Sequence, residues 1–255
     1  MSGLLQGKTA IVTGASSGIG AATAELFVKE GATVLITARR QDKLDLMADK
    51  LTELGGSVVA VASDVGDPQS VREVFAKAVE IFGHVDILVN NAGTTNLLGI
   101  DTTSDEEWAR VITVNQSSVF YFCREAVKHM VPRDTGCIVN VGSMNGIRPL
   151  SGFAFSVSKF AVSGITQGTA LRLSGTGVRC NAICPGPTNP AMSEALQAGS
   201  VEYDQHIVDQ LFAKLDLKAP GSEAIAQAKV ILFLASEAAS DINGAIIPVD
   251  KGIYL

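Results

Sequence analysis

A chain of 255 residues, 47% of them hydrophobic, is long enough to bury a sizeable core. Its 20 basic and 26 acidic residues give a net charge of −6, which argues against general affinity for nucleic acid. No apolar run approaches the roughly 18 residues that span a bilayer, and no repeat, low-complexity tract or linker divides the chain. One domain over residues 1–255, in a soluble cytoplasmic protein with no membrane partner, is the expectation.

The opening, MSGLLQGKTAIVTG, runs from a short apolar stretch straight into a glycine turn and reads as a first strand rather than a signal peptide. Lys8 to Thr13 is predicted as a central strand. Gly14-Ala-Ser-Ser-Gly18-Ile-Gly20 follows, then an amphipathic helix from about Ala21 to Glu30, closed by Gly31. Strand, glycine turn and helix make a phosphate-binding layout. Glycines let the backbone approach a pyrophosphate, and the helix N-terminus offers free N–H groups and the positive dipole end. The spacing is GxxxGxG rather than GxGxxG.

Thr33 to Thr37 is the second strand, ending in Ala38-Arg39-Arg40. An acidic residue here would bind an adenosine ribose 2′-OH, whereas guanidinium groups suit a 2′-phosphate. NADP(H) is therefore favoured, with NAD(H) the second choice and Arg39 preferred to Arg40. A helix over about Gln41 to Leu54 leads to a strand over Ser57 to Ala62, with Asp64-Val65 at its carboxyl end. A helix over about Asp67 to Phe82 precedes the strand Val85 to Val89, tipped by Asn90-Asn91-Ala92-Gly93. This alternation predicts an α/β fold: a Rossmann-like, doubly wound domain whose seven-stranded, mostly parallel sheet is flanked by helices.

A long helix opens near Ser104-Asp-Glu-Glu-Trp108 with a capping signature and carries Asn115 among valines and Ile112. An amide in such a place is either a satisfied core group or a site residue that kinks the helix or holds water. The residue alone favours the first. Cys137 to Gly142 reads as a buried strand ending at Ser143, and Phe155 and Lys159 lie one turn apart on the next helix. Val178 to Ile183, tipped by Pro185-Gly186-Pro187-Thr188, and Gly244 to Val249 are the last strands, separated by a helix over Ser222 to Ser236. The stretch from about 190 to 218 reads as a partly helical substrate lid. Cys123, Cys137, Cys180 and Cys184 are expected as buried thiols. His84, His129 and His206 lack ligand spacing, so no metal is expected.

TGASSGIG at Thr13 to Gly20, Asp64-Val65, NNAG at Asn90 to Gly93, Asn115, Ser143, Lys159 and Pro185-Gly186 follow one another as in a short-chain dehydrogenase/reductase. The resemblance covers nearly the whole chain. It implies that Gly14, Gly18 and Gly20 line the pyrophosphate path, with Ser16, Ser17 and Ile19 contacting the cofactor. Asp64 and Val65 would flank the adenine, and Asn91, beside Ala92 and Gly93, the cofactor ribose. The backbone around Thr188, after Pro185 and Gly186, would hold the nicotinamide carboxamide. Ser143 would hydrogen-bond the substrate oxygen, Lys159 would grip the nicotinamide ribose, and Asn115 would anchor a water leading to that lysine. The resemblance also implies a homotetramer or homodimer built through the helices near Ser104–Arg133 and Phe153–Gly175. Two departures stand out: Pro190 occupies the place of a customary threonine, and Phe155 that of the family's catalytic tyrosine.

Ketone reduction needs a hydride at carbon and a proton at oxygen, and a phenol beside an ammonium suits the second task. Phenylalanine keeps the ring and has no proton to give, so a loss of at least about 10²–10⁴-fold is expected. Tyr121, Tyr203 and Tyr254 are the only phenols. Phe155 can mark a Tyr→Phe change in a nearly intact site, a natural family member repurposed as a silent cofactor-binding sensor or scaffold, or a misread register. The first is favoured, because Asn115, Ser143 and Lys159 all remain. Met144, Asn145, Phe153 and Met192 suggest an apolar pocket for a hydroxysteroid or another bulky secondary alcohol.

Overall fold

The apolar runs of the sequence form one sheet in the computed structural model, which describes residues 3–188, 201–214 and 221–253. Its strands are β1 (Thr9–Thr13), β2 (Thr33–Ala38), β3 (Val58–Ala62), β4 (Ile87–Asn90), β5 (Gly136–Val141), β6 (Val178–Pro185) and β7 (Ile246–Val249). They lie in the order β3-β2-β1-β4-β5-β6-β7, and every neighbouring pair is parallel. The strand order reverses between β1 and β4, which opens a crevice at their carboxyl ends.

Helices cover both faces, which is why the strands carry apolar side chains on both sides rather than at alternate positions alone. Ala10, Val12, Val34 and Ile36 point toward α1 (Gly18–Lys29), α2 (Gln41–Glu53) and α8 (Ala224–Ala235), where they meet Phe27, Leu44, Leu51 and Ile231. Ile11, Leu35 and Leu88 point the other way, toward α3 (Pro68–Phe82), α5 (Ser118–Met130) and α6 (Phe153–Arg172), and meet Val71, Phe122 and Val162. Each such Val, Ile, Leu or Phe side chain, taken out of water, contributes about 1.5–3 kcal/mol. Cys123, Cys137, Cys180 and Cys184 are all free and buried, as expected.

The helix ends differ in a way that matters for the site. Asp67 caps α3, accepting from the Gln69 and Ser70 N–H groups at 3.0 Å, and Gly83, left-handed at φ 79°, ends it. Ser104 caps α4 (Asp105–Ile112) by accepting from Glu107 N–H at 3.1 Å, as the capping signature predicts. The N-terminus of α1 carries no side-chain cap and no acidic residue in its first turn. Sequence periodicity predicts one long helix around Asn115; instead α4 and α5 are joined by a π turn over Thr113–Ser117.

Within the predicted lid, α7 (Gln205–Lys214) packs Val208 and Leu211 on Leu97. Leu97 N–H donates to the Glu202 carbonyl at 2.9 Å, and Asp204 N–H to the Leu97 carbonyl at 2.8 Å. Pro190, Met192 and Tyr254 lie outside the described residues. No described helix is long and apolar enough to cross a membrane.

Candidate active site

Because every strand runs the same way, the carboxyl ends share one edge of the sheet, and each predicted site residue lies on that edge or on a helix leaving it. The turn after β1 is built against the tip of β4. Thr13 Oγ1 accepts from the Asn91 and Ala92 N–H groups at 2.9 and 3.0 Å. Asn91 Nδ2 donates to the Thr13 and Gly14 carbonyls at 2.9 and 3.2 Å. Gly14 is left-handed at φ 64°, and a Cβ there would sit 2.8 Å from Ala92 Cα. Asn91 thus braces the turn through its side chain. Gly18, also left-handed at φ 57°, faces open space at the uncapped start of α1, with Ser16 half-buried and Ser17 exposed beside it. Ile19 and Gly20 continue into the helix.

These features fit the pyrophosphate of a dinucleotide: backbone close to the surface, free N–H groups, a positive dipole end and no competing carboxylate. The flanking strand ends complete the cradle. Arg39 and Arg40 are exposed directly after β2. Asp64 is exposed after β3, its Oδ1 accepting from Gly66 N–H at 2.9 Å, while Val65 is buried. After β6, Gly186 N–H donates to the Val249 carbonyl at 3.2 Å, Thr188 Oγ1 donates to the Gly186 carbonyl at 3.2 Å, and Ser222 N–H donates to the Pro187 carbonyl at 2.8 Å. Pro185 is buried as the last residue of β6.

Ser143, Phe155 and Lys159 converge where β5 ends and α6 passes over it. Lys159 is 6% exposed and donates from Nζ to the Val141 carbonyl at 3.0 Å, two residues before Ser143. Its Nζ lies 5.8 Å from the centroid of the half-buried Phe155 ring. Burial pushes the lysine down to about 8, with Cys184 opposing. Burial likewise pushes the Cys184 thiol up, against the Ser143 N–H and the Lys159 ammonium. Asn115 sits in the π turn, fully buried. Its Oδ1 accepts from Thr94 N–H at 2.7 Å, and its Nδ2 donates to the Thr94 carbonyl at 2.9 Å and to Ser158 Oγ at 3.0 Å. A Cβ placed on Gly93 would lie 3.3 Å from Asn115 Oδ1 and 3.6 Å from Lys159 Nζ, so the two side chains flank the NNAG tip together. The amide is satisfied, and it ties the β4 tip to the helix that carries Lys159.

The sequence pattern did not single out Thr94, Ser158 or Cys184 as members of this cluster; their only signal is position beside Gly93, Lys159 and Pro185, while Thr13 entered only as the first residue of the glycine motif. Tyr203 is exposed at the Leu97 bridge, and Tyr121 packs on Phe120 and Arg124 on α5. A cavity of about 280 Å³ lies at the opposite, amino edge between Lys8, Asp86, Arg179 and Glu237. Its groups are already engaged: Lys8 faces Glu237 at 3.9 Å, and Arg179 donates to the Leu234 carbonyl at 2.8 Å. It is remote from the strand ends that carry the predicted site.

Comparison with known proteins agrees with this geometry. The short chain dehydrogenase family matches residues 8–200. The chain is 36% identical over 252 residues to 3beta-hydroxysteroid dehydrogenase 2 of Eggerthella lenta, covering 98% of this chain and 95% of that protein. It is also 36% identical over 253 residues to the 3-oxoacyl-(acyl-carrier-protein) reductase FabG of Thermotoga maritima, covering 98% and 99%. The crystal structure of a dehydrogenase/reductase from Sinorhizobium meliloti 1021 superimposes with a TM-score of 0.86 at 30% identity, covering 98% of this chain and 96% of that one. Full-length likeness in sequence and in fold gives one assignment: the chain belongs to the short chain dehydrogenase family, oxidoreductases that use a nicotinamide dinucleotide.

Proposed function

We propose that the chain binds NADP(H) and interconverts a secondary alcohol and a ketone, with hydroxysteroids or similarly bulky apolar alcohols as substrates. Phe155 stands, in this reading, where the reaction needs a phenol, and turnover is strongly reduced as a result. The observation that carries the proposal is the buried Lys159 ammonium 5.8 Å from the Phe155 ring centroid, at the end of the strand that delivers Ser143. Likeness to 3beta-hydroxysteroid dehydrogenases supports the substrate class, although the match to a 3-oxoacyl reductase is as close in identity.

Bound in the cradle, the dinucleotide supplies or accepts the hydride at the carbinol carbon. Gly14, Gly18 and Gly20, with Ser16, Ser17 and Ile19, hold its pyrophosphate on the α1 N-terminus. Arg39, with Arg40 beside it, takes the 2′-phosphate. Asp64 and Val65 border the adenine, and Asn91, Ala92 and Gly93 border a ribose. Lys159 grips the nicotinamide ribose, and the backbone from Pro185 and Gly186 to Thr188 holds the carboxamide. Ser143 donates to the substrate oxygen, while Asn115 fixes the β4 tip against α6. Phe155 excludes water from one wall and gives no proton.

Assay of Phe155→Tyr with NADPH, against a 3-ketosteroid and an acetoacetyl thioester, tests the reading. Activity at least about 10²-fold above the parent chain is expected, the contribution of one acid–base group. A variant that binds NADPH and stays inert across steroids, sugars, simple ketones and thioesters sinks it. That outcome would favour the second reading, a cofactor-binding sensor or scaffold, which the protonless ring at 155 independently suggests.

A further inference from the structure

Between Ser143 and α6 the chain makes a short turn, Met144–Gly146, then a loop to Gly152, and one side chain organises that whole passage. Asn145 is 7% exposed. Its Oδ1 accepts from Leu150 N–H at 3.1 Å, Ser151 N–H at 2.9 Å, and the Ser151 and Ser156 hydroxyls at 3.0 Å each. Two of those donors are backbone amides, which have only a proton to offer, so the orientation of the Asn145 amide is fixed. Oδ1 must face the loop, and Nδ2 must face the other way.

The other way lies Ser143. Asn145 N–H donates to Ser143 Oγ at 3.1 Å, and Asn145 Nδ2 reaches the same oxygen at 3.5 Å. Two N–H groups thus point at the lone pairs of one hydroxyl. Among the described residues that hydroxyl donates to no acceptor, so its single proton is left for whatever oxygen enters the cleft. We propose that Asn145 is a positioning residue that holds Ser143 as a hydrogen-bond donor toward the substrate oxygen, an inference that rests on the oxidoreductase reading above. Asn145 does not touch substrate. It acts by occupying the acceptor side of Ser143, and the four donors on Oδ1 keep the amide from turning over. With Phe155 unable to donate, the direction of the Ser143 hydroxyl matters more here than beside a phenol.

Asn145→Asp separates this role from a purely structural one. A carboxylate accepts from the same four loop donors, but it has no proton for Ser143 and draws the Ser143 proton to itself. In the Phe155→Tyr background, with NADPH and a 3-ketosteroid, we expect kcat to fall by up to about 10²-fold. The dissociation constant for NADPH, read by fluorescence, should stay within about twofold, and the melting temperature should stay near that of the parent. In a Ser143→Ala background the same change should cost no further kcat. In the unreverted chain, the infrared carbonyl stretch of the bound ketone should rise in Asn145→Asp as it does in Ser143→Ala. Should Asn145→Asp fold poorly, Asn145→Ala removes the same donor, and its kcat loss must again vanish in the Ser143→Ala background. Full kcat in Asn145→Asp, or losses that simply add to those of Ser143→Ala, overturns the proposal while leaving the enzyme reading intact. An inert Phe155→Tyr parent sinks the enzyme reading, and this one with it.

Discussion

Arg39 is exposed directly after β2, so its value lies in what it meets from solution. A guanidinium against a phosphate is worth more than a neutral hydrogen bond, about 1.5–3 kcal/mol for a bond to a charged group. Arg39→Ala is therefore expected to weaken NADPH binding by roughly 10- to 100-fold and leave NADH binding nearly unchanged. Equal weakening of both dinucleotides would place Arg39 away from the 2′-phosphate. At this scale the sequence was legible where a residue is fixed by its neighbours along the chain. Ser143 ends a buried strand and Lys159 lies one helical turn past Phe155, so their meeting over β5 could be read directly. Asn145 could not be read in that way, because its partners Leu150, Ser151 and Ser156 reach it only through the shape of the loop.

Elements explain the remaining differences. Buried parallel strands announce themselves as unbroken apolar runs, so the order of strands and helices was legible throughout. Their limits were less so. The fourth strand was expected from Val85, yet it starts at Ile87; Val85 N–H donates to His129 Nε2 at 3.1 Å rather than to a neighbouring strand. The π turn at Thr113–Ser117 carries no periodicity signal of its own. It follows from Asn115, whose three hydrogen bonds to Thr94 and Ser158 hold that part of the helix against the β4 tip and α6. Asn115→Leu strands the half-buried Thr94 N–H and carbonyl, and the expected cost is about 1–3 kcal/mol for an unsatisfied group, measured by urea unfolding. Asn115→Asp keeps the bond from Thr94 N–H at 2.7 Å and should lose less. Equal loss in both would mean that the turn is set by packing alone.

The molecule as a whole keeps a second charged cluster at the amino edge of the sheet, below the strands. Burial pushes the Asp86 carboxyl up, but Arg133, the Thr9 N–H and His84 together hold it below its ordinary value. Arg133 Nη2 donates to Asp86 Oδ1 at 2.9 Å, and Thr9 N–H donates to Oδ2 at 3.0 Å. His129 is pushed down by burial and by the neighbouring Arg133 and His84, against the pull of Asp86. A histidine lowered on folding contributes stability that is complete above its unfolded value near 6.5 and is lost as pH falls through the folded value. A lowered aspartate does the same below about 3.9. Thermal unfolding should therefore show a first loss of stability starting below about pH 6.5, absent in His129→Asn, and a second in stronger acid. A single acid transition unchanged by His129→Asn would remove His129 from this account.

The expected acid response and the proposed hydride chemistry thus belong to opposite rims of the same seven strands, separated by their full length. A graft that swaps the reactive-rim loops for those of a relative changes what the protein acts upon and leaves its response to acid as it was.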